Sequence, residues 1–314
     1  MALAYGEHRE KIFAAANVCD TRTIPVLVAP SPKISIVTPS YRQLDWLKLC
    51  AASIADQEGV TVEHIIQDAH TGPELEEWVR QNTRAQLYVE RDKNMYDGVN
   101  RGLRRTKGDI CAYLNCDEQY LPGTLRRVAD YFEQHPEIDV LFGDTIITDP
   151  SLMPLAYRRA VLPHRWHTLL NPLNVLTCST FFRRKLVDEG ALFDTAWKNL
   201  GDKSWLLSLL ERGYRMAVLP EPLAVFALTG TNMSQQQDVH AERLRWRIGV
   251  SPVIRWTKPL IRAGNVLKKW RYGAYQTRRV DSAWYTRASL PVRRRFAGLT
   301  LGWKWPSISS GSTS

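Results

Sequence analysis

Short apolar segments alternate with amphipathic segments over the first two-thirds of the chain. The β-branched segment KISIVT at residues 33–38 is stopped by Pro39, as expected of a buried strand. Similar segments begin at Val62, Gln86, Ile110 and Asp139, and residues with helical periodicity separate them. Strands that alternate with helices in this way usually form a parallel sheet covered on both faces. We therefore predict an α/β domain built on a mostly parallel sheet flanked by helices.

Composition divides the chain into three segments. Residues 1–32 have weak periodicity and end in a cluster of prolines, so we predict an N-terminal lead-in segment. Residues 33–240 carry the alternating pattern and form the predicted catalytic domain. The net charge of +10 is concentrated near the C-terminus, because residues 241–305 contain 16 Lys/Arg and only 2 Asp/Glu. Residues 241–314 therefore form a predicted basic, tryptophan-rich, helical extension.

Several function classes lack their usual motifs. The five cysteines are scattered and the histidines show no metal-binding spacing, which favours a reducing compartment without a disulfide framework. The first strand is not followed by G-x-G-x-x-G, and no P-loop motif is found, which argues against dinucleotide dehydrogenases and P-loop NTPases. The sequence shows neither a signal peptide nor an apolar run of about 18–20 residues. We expect a cytoplasmic protein.

Carboxylates follow the ends of several predicted strands, at Asp68, Asp92, Asp117 and Asp144. In open α/β sheets, ligands bind at the carboxyl ends of the strands. Asp117 and Glu118 are adjacent, and two neighbouring carboxylates repel each other unless a cation or hydrogen-bond donors lie nearby. Hard oxygen ligands suit Mg²⁺ or Mn²⁺, so the spacing favours a cation site at Asp117. The alternative is that Asp117 caps the next helix, but Pro122 in the first helical position would put that cap at residue 121.

The other candidates also have structural interpretations. Asp68 stands in QDAHTGP, where an Asx-turn is slightly favoured. Asp97 and Arg101 lie four residues apart, so an exposed ion pair and a phosphate-binding face are equally compatible with the spacing. Asp202 opens the helical segment GDKSWLLSLLERG, where an N-cap is the stronger interpretation from spacing alone.

Six segments in order resemble glycosyltransferase family 2, the inverting enzymes of the GT-A fold. The segment KISIVTPSY resembles the family's first strand and nucleotide-contacting loop, and QDAHTGP occupies the place of its acidic turn. The segments ERDKNMYDGVNRGLRRTKGD and YLNCDEQYLPG resemble its central motifs. CSTFFRR and GDKSWLLSLLERGYRMAVLPEPLAVF resemble its acceptor-side half. The resemblance covers roughly residues 33–235.

The resemblance implies a role for each candidate residue. Asp202 would be the general base that deprotonates the acceptor hydroxyl. Asp117 would bind the divalent metal, Mn²⁺ or Mg²⁺, beside the leaving diphosphate. The implied nucleotide- and donor-binding residues are Thr38, Pro39, Tyr41, Asp68, Asp97, Arg101 and Asn115.

The sequence departs from the family pattern in three places. Asn115 replaces the first Asp of the metal motif, and Glu118 replaces the second Asp of the adjacent pair. The acidic turn lacks its second Asp, since Pro73 or Glu74 stands near that place. These departures leave more of the metal binding to Asp117 and leave the identity of the nucleotide open.

The basic extension has its own pattern. After Pro259, helical projection places Leu260, Leu267 and Trp270 on one side and basic residues on the other. A cationic face opposite an apolar face suits an anionic membrane surface, and the chain could then be peripheral on the inner face of the cell membrane. The alternatives are a helical layer packed on the catalytic domain or, less favoured, a nucleic-acid site.

Together these features predict a metal-dependent inverting glycosyltransferase. It would move a sugar from a nucleoside-diphosphate donor, with a UDP-sugar favoured, to a glycan or lipid-linked glycan acceptor in cell-surface polysaccharide or glycolipid assembly. One alternative is a sugar-nucleotide nucleotidyltransferase, although TPSYRQLDW lacks the glycine-rich loop of that class. The other is a catalytically silent GT-A scaffold at the membrane.

Overall fold

A computed structural model of the chain describes residues 33–230 and 238–306. All of these residues belong to one compact unit. The predicted lead-in segment, residues 1–32, lies outside the described residues. The predicted boundary between the catalytic domain and the extension, at residues 240 and 241, falls within helix Asp238–Gly249.

The described residues form strands and helices in close alternation. The strands are Ile34–Ser40 (β1), Val62–Asp68 (β2), Gln86–Val89 (β3), Ile110–Tyr113 (β4), Glu118–Tyr120 (β5), Val140–Thr148 (β6), Pro154–Arg158 (β7), Thr180–Arg183 (β8), Met216–Ala227 (β9), Arg278–Trp284 (β10) and Arg294–Leu301 (β11). The α-helices are Leu44–Ala55 (α1), Pro73–Asn82 (α2), Met95–Arg105 (α3), Thr124–Gln134 (α4), Arg165–Leu170 (α5), Lys185–Asp188 (α6), Gly201–Glu211 (α7), Asp238–Gly249 (α8), Pro252–Trp256 (α9) and Lys258–Arg271 (α10).

Nine strands of the described chain form one sheet, in the order β3-β2-β1-β4-β8-β6-β9-β5, with β7 beside β6. The predicted parallel arrangement holds for β3, β2, β1 and β4. Beyond β4 the sheet is mixed, because β8 is antiparallel to both of its neighbours and β5 is antiparallel to β9. Only residues 114–117 separate β4 from β5. That connection is too short for a parallel crossover, so the chain turns away and pairs elsewhere.

Helix α3 packs closely on the parallel half of the sheet. Val99 and Leu103 are buried, as their four-residue spacing predicts, and Met95 packs beside them at the edge of the same cluster. A Cβ on Gly102 would collide with the side chain of Val37 in β1. The glycine therefore allows the helix to approach the strand at this point, which fixes the N-terminal end of α3 near the carboxyl ends of β1 and β2.

Two predicted boundaries are wrong. Asp144 does not end a strand but lies inside β6, because that strand continues along both β7 and β9. Its buried carboxylate accepts hydrogen bonds from Tyr157, Arg159 and the backbone of Ala160. Helix α4 begins at Thr124, after a left-handed Gly123, so Pro122 precedes the helix and residue 121 is not its cap. Asp117 is farther still from that helix and does not cap it.

The C-terminal extension is helical only over α8–α10. Strands β10 and β11 form an antiparallel hairpin that packs against the catalytic sheet. Trp284 is fully buried, stacks on Phe296 at 4.0 Å and donates a hydrogen bond from Nε1 to the carbonyl of Leu152. Gln119 and Tyr285 exchange two hydrogen bonds between β5 and the hairpin. Residues 278–301 are therefore an integral layer of the catalytic fold, since their apolar side chains complete its core.

Candidate active site

The carboxyl ends of β1 and β2 and the loop after β4 meet at one edge of the sheet. Ser40 is in register with Asp68, and the Cys116 thiol lies 3.3 Å from the carbonyl of Pro39. Thr38 is buried, and its hydroxyl contacts His64 Nε2 at 3.0 Å. The end of β1 therefore contacts both the end of β2 and the loop after β4. This is the carboxyl edge of the strands, where ligands bind in open α/β sheets.

Asp68 closes the turn after β2. Its Oδ2 accepts the backbone N–H of Thr71 at 2.7 Å, and its Oδ1 accepts the Thr71 hydroxyl at 2.6 Å. The Asp68 residue is fully buried. The Asx-type turn favoured from the spacing is thus present, and it holds the 68–71 turn rigidly at the sheet edge.

Three acidic residues approach one another around the start of α3. Burial raises the pKa of Asp92, and the neighbouring charges of Asp97 and Asp68 raise it further. Asp97 accepts hydrogen bonds from the Lys93 backbone at 3.1 Å and from Arg101 Nη2 at 2.9 Å. Burial opposes a low pKa of Asp97, but the hydrogen bond from the Lys93 backbone and the Arg101 partner together lower it. A cluster of carboxylates such as Asp68, Asp92 and Asp97 attracts cations or the hydroxyl groups of a ligand.

The Asn115–Glu118 loop contains buried oxygens that lack partners. Glu118 Oε2 accepts the backbone N–H of Asn115 at 2.8 Å, but Glu118 Oε1 and Asn115 Oδ1 have no hydrogen-bond partner among the described residues. Burial raises the pKa of Asp117, and burial together with the Asp117 charge raises that of Glu118. Buried oxygens left without donors are costly unless a cation or a polar ligand satisfies them.

The oxygen atoms of this loop have the chemistry that a divalent cation prefers. Among the described residues, no group of three or more His, Cys, Asp and Glu side chains could hold a metal ion. Mg²⁺, however, is commonly bound by one or two carboxylates together with substrate phosphates and water. The carboxylate of Asp117 and the partnerless oxygens beside it are the matching donors on this chain.

Asp202 lies in the first turn of α7 and is linked to α3. Its Oδ1 accepts the backbone N–H of Lys203 at 2.7 Å, and the helix is not capped by a side chain. The Tyr96 ring of α3 lies against Gly201, the residue before Asp202, and the Tyr96 side chain is among the groups that lower the pKa of Asp202. Burial raises the pKa of Asp202 to about 6, although the hydrogen bonds and the Lys203 charge oppose this rise. A carboxylate with such a pKa is an effective base near neutral pH.

A cavity of about 1320 Å³ opens beside Asp202. Asp202 is the one acidic residue among its described lining residues. The basic side chains of the lining are Arg158, Arg159, Lys203, Arg243, Arg247, Arg255 and Lys258. Burial and the charges of Lys258 and Arg243 lower the pKa of Lys203 to about 8, despite the opposing effect of Asp202. The cavity therefore has a strongly positive lining around a single carboxylate.

The sequence matches a known family over the region that carries this site. Residues 35–190 match the model described as glycosyl transferase family 2, about half of the chain and most of the catalytic sheet. The chain belongs to glycosyl transferase family 2. The resemblance inferred from the motifs is thus confirmed, and the chain is a glycosyltransferase.

Relatives of this glycosyltransferase include two bacterial proteins with descriptive names. A PGL/p-HBAD biosynthesis glycosyltransferase of Mycobacterium tuberculosis is 26% identical over 184 residues, which cover 55% of this chain and 67% of the relative. The amylovoran biosynthesis glycosyltransferase AmsE of Erwinia amylovora is 25% identical over 139 residues, 43% of this chain and 51% of the relative. The chain thus spans between half and two-thirds of the length of these relatives.

Solved structures confirm the GT-A fold of the glycosyltransferase. S. aureus TarS 1–349 in complex with UDP-GlcNAc superposes with a TM-score of 0.53 at 17% identity, covering 65% of this chain and 61% of TarS. The mannosyltransferase PcManGT from Pyrobaculum calidifontis, in complex with GDP-Man and Mn²⁺, superposes with a TM-score of 0.52 at 16% identity. The latter match covers 78% of this chain and 73% of PcManGT.

The predicted site residues of the glycosyltransferase fall into two groups. Residues at the sheet edge and α3 form the first, but only Tyr41 among the three predicted residues of β1 and its loop exposes its side chain substantially, at 51%. Arg101 forms the predicted ion pair with Asp97 and lies 3.6 Å from Glu90. Asp202 forms the second group and lines the cavity, next to Gly201, which Tyr96 of α3 contacts. The roles of all these residues remain predictions.

Several residues of the site could not be found from the sequence. Tyr96 was given no role from the sequence, yet its ring packs against Gly201 beside Asp202. Lys203 and Arg243 come from separate helices, and Arg158 and Arg159 come from the end of β7 and the residue after it. The excess of basic residues in the extension was visible, but only the fold shows that part of it lines the cavity with Asp202.

Proposed function

We propose that the glycosyltransferase moves a sugar from a nucleoside-diphosphate donor to a hydroxyl of a glycan or lipid-linked glycan, with inversion at the anomeric carbon. UDP is our proposed nucleotide. The support for a nucleotide-sugar donor is the family membership and the UDP-GlcNAc and GDP-Man complexes of proteins that share the fold. The donor would lie at the sheet edge and the acceptor in the cavity beside Asp202.

Asp202 is the proposed general base. Its carboxylate takes the proton of the acceptor hydroxyl as that oxygen attacks the anomeric carbon. The bond from this carbon to the diphosphate oxygen breaks at the same time, and the electron pair leaves with the nucleoside diphosphate. Because attack comes from the face opposite the leaving group, one displacement inverts the configuration.

The residues of the sheet edge would bind the donor. Asp68, with Thr38, Pro39 and Tyr41, is proposed to form the nucleoside pocket. Asp97 and Arg101 would lie beside the sugar and diphosphate, and Asn115 would contact the donor. Asp117 would hold a divalent metal, Mn²⁺ or Mg²⁺, which when bound neutralises charge on the departing diphosphate.

One observation carries this proposal most directly. The Tyr96 ring packs against Gly201 and so joins α3, which contains the donor-side motif, to the start of α7, where Asp202 lines the cavity. A base must lie within reach of both the acceptor hydroxyl and the sugar carbon that the hydroxyl attacks. Because the two helices are in contact, we expect the proposed base to lie at the border of the proposed donor and acceptor regions.

The charge of the cavity supports an acceptor that carries an anionic group. Seven basic side chains surround Asp202, and positive clefts concentrate anionic ligands. A phosphate or diphosphate that joins a glycan to a lipid has this chemistry. The names of two relatives refer to PGL/p-HBAD and amylovoran biosynthesis. We propose a role in cell-surface polysaccharide or glycolipid assembly, on the cytoplasmic side of the membrane.

The test is release of the nucleoside diphosphate from UDP-, GDP- and dTDP-sugars, with Mn²⁺ or Mg²⁺ and an extracted lipid-linked glycan fraction as the acceptor. We expect one donor class to be consumed and the Asp117→Asn variant to lose most of this turnover. Asp188→Asn, which removes an exposed carboxylate that pairs with Arg184 and does not line the cavity, is the matched control. Full turnover by Asp117→Asn would exclude Asp117 as the metal ligand. An absence of both turnover and binding with every donor would favour a catalytically silent scaffold.

A further inference from the structure

The helices α8, α9 and α10 turn large apolar side chains toward solvent. Trp256 is 85% exposed, Leu260 and Val253 are each 77% exposed, and Trp270 is 70% exposed. We define the apolar helix surface as the exposed residues Leu244, Ile248, Val253, Trp256, Leu260, Val266, Leu267 and Trp270. A run of exposed apolar residues on successive helices marks an interaction surface, because soluble monomers rarely leave such area open.

The polar sides of the same helices are anchored on the catalytic fold. Lys268 Nζ donates to the carbonyl of Leu162 at 2.7 Å, and Asn265 Oδ1 accepts from Asn174 at 2.7 Å. In α8, Glu242 accepts backbone N–H groups of residues 198–200. Helix α10 therefore has the opposite orientation to an ordinary surface helix, which buries its apolar side, whereas α8 also buries Val239. These contacts hold the apolar helix surface outward.

Positive charge accompanies the exposed apolar residues. Residues 238–271 contain nine Lys/Arg and two Asp/Glu. Glu242 is already engaged with backbone N–H groups, whereas Arg262 and Arg271 in α10 are exposed. Tryptophan with basic neighbours is typical of segments that lie in the headgroup region of an anionic bilayer.

We propose that the apolar helix surface docks onto an anionic phospholipid bilayer and inserts Trp256 and Trp270 into its interfacial region. A second copy of the chain is a poorer occupant, because a symmetric contact would bring two cationic surfaces together. Among the described residues, no helix is both long and apolar enough to cross a membrane. Docking would thus be interfacial, with α8–α10 lying in the plane of the membrane.

Docking would also orient the cavity. Trp256 lines the cavity and belongs to the apolar helix surface, and Arg255 and Lys258 flank it. The cavity mouth would then lie at headgroup depth, where the phosphate of a membrane-embedded acceptor is found. This consequence rests on the proposed function, whereas bilayer binding itself does not.

The experiment is co-sedimentation of the full chain with vesicles, without donor or acceptor. Vesicles of phosphatidylcholine with about 30% phosphatidylglycerol, an anionic lipid, are compared with vesicles of pure phosphatidylcholine. We expect binding to the anionic vesicles, and about tenfold or more weaker binding by the Trp256→Ser/Trp270→Ser variant. The control is Val292→Ser, which removes a 69% exposed apolar side chain from the hairpin turn.

Charge is tested separately with Arg262→Gln/Arg271→Gln, which should weaken anionic-vesicle binding by about tenfold and reduce its salt dependence. Arg279→Gln/Arg295→Gln, on the hairpin, is the matched charge control. Equal binding by the tryptophan variant and the wild type would overturn the proposal. The proposal would also be overturned if the wild type did not bind vesicles and light scattering showed a dimer that the tryptophan variant does not form. Since no sugar donor is used, failure here is distinguishable from failure of the proposed glycosyl transfer.

Discussion

Asp202 concentrates several physical effects on one carboxylate. It is half-buried at the start of α7, its pKa is raised to about 6, and basic side chains surround it in the cavity. We expect Asp202→Asn to lower kcat by about 10²–10⁴-fold, because general-base catalysis commonly contributes that much. Donor KM should change little, since the donor would bind at the sheet edge. Steady-state kinetics check this.

The stability of Asp202→Asn distinguishes a catalytic role from a structural one. Burial disfavours the charged form of Asp202, so the ionised carboxylate opposes folding at neutral pH. We expect the Tm of the variant at pH 7 to be unchanged or higher, and Asp188→Asn to retain full turnover. A large fall in Tm would assign Asp202 to the fold rather than to catalysis.

The pH profile tests the link between Tyr96 and Asp202. The base acts when deprotonated, so kcat should rise with pH through about 6, the pKa of Asp202. Burial raises that pKa, and the interaction with the Tyr96 side chain is among the effects that lower it. We expect Tyr96→Phe to move the acidic limb of the profile to higher pH. An unshifted limb with reduced activity would give Tyr96 a packing role only.

Individual residues show which contacts of the site could be predicted from the sequence. The Asp68 turn and the Asp97–Arg101 pair were both among the structural interpretations, and both contacts are present. The cap interpretation of Asp202 was wrong, because the residue lies inside the first turn. Tyr96 was missed, since its contact joins positions about a hundred residues apart that no local pattern relates.

At the scale of elements, Gly201 controls how closely α7 approaches α3. A Cβ at this position would lie 2.5 Å from ring atoms of Tyr96. We expect Gly201→Ala to destabilise the fold by about 1–3 kcal/mol, the usual cost of overpacking, and to reduce activity by displacing Asp202. Gly264→Ala in α10 is the control, because a Cβ there meets open space and should stabilise by about 0.5–1 kcal/mol. Urea unfolding measures both.

The hairpin of β10 and β11 supplies a second test at this scale. Trp284 is fully buried between the hairpin and the catalytic sheet, whereas Trp270 in α10 is 70% exposed. We expect Trp284→Ala to lower the free energy of unfolding by about 3–5 kcal/mol. Trp270→Ala should lower it by less than about 0.5 kcal/mol. Similar losses for the two variants would contradict the distinction between the hairpin layer and the apolar helix surface.

The parallel half of the sheet was predictable because β1, β2 and β3 are each a short run followed by a periodic helix. The mixed half was not, because β5 and β8 are short and pair antiparallel with strands that are distant in the sequence. The hairpin was hidden for another reason: its basic residues resemble those of the preceding helices, and the burial of Trp284 depends on the distant strands it covers. Composition marked the extension, but tertiary packing decides which part of it is core.

For the whole molecule, the two halves of the fold separate two binding tasks. The parallel half carries the proposed nucleotide and metal residues at the ends of β1, β2 and β4. The mixed half and α8 surround the positive cavity, and α8–α10 carry the apolar helix surface outward. Donor, acceptor and bilayer would thus each have a surface, and Asp202 would stand where the first two meet.

The central claim is that donor binding depends on Asp117 and chemistry depends on Asp202. The most direct measurement is thermal unfolding of the wild type, Asp117→Asn and Asp202→Asn with UDP, GDP and dTDP, each with and without Mn²⁺. At a ligand concentration 100 times Kd, binding should stabilise the fold by about 2.7 kcal/mol. We predict a Mn²⁺-dependent rise in Tm with one nucleotide, lost in Asp117→Asn and kept in Asp202→Asn. An equal rise in Asp117→Asn, or no rise with any nucleotide, would contradict the account.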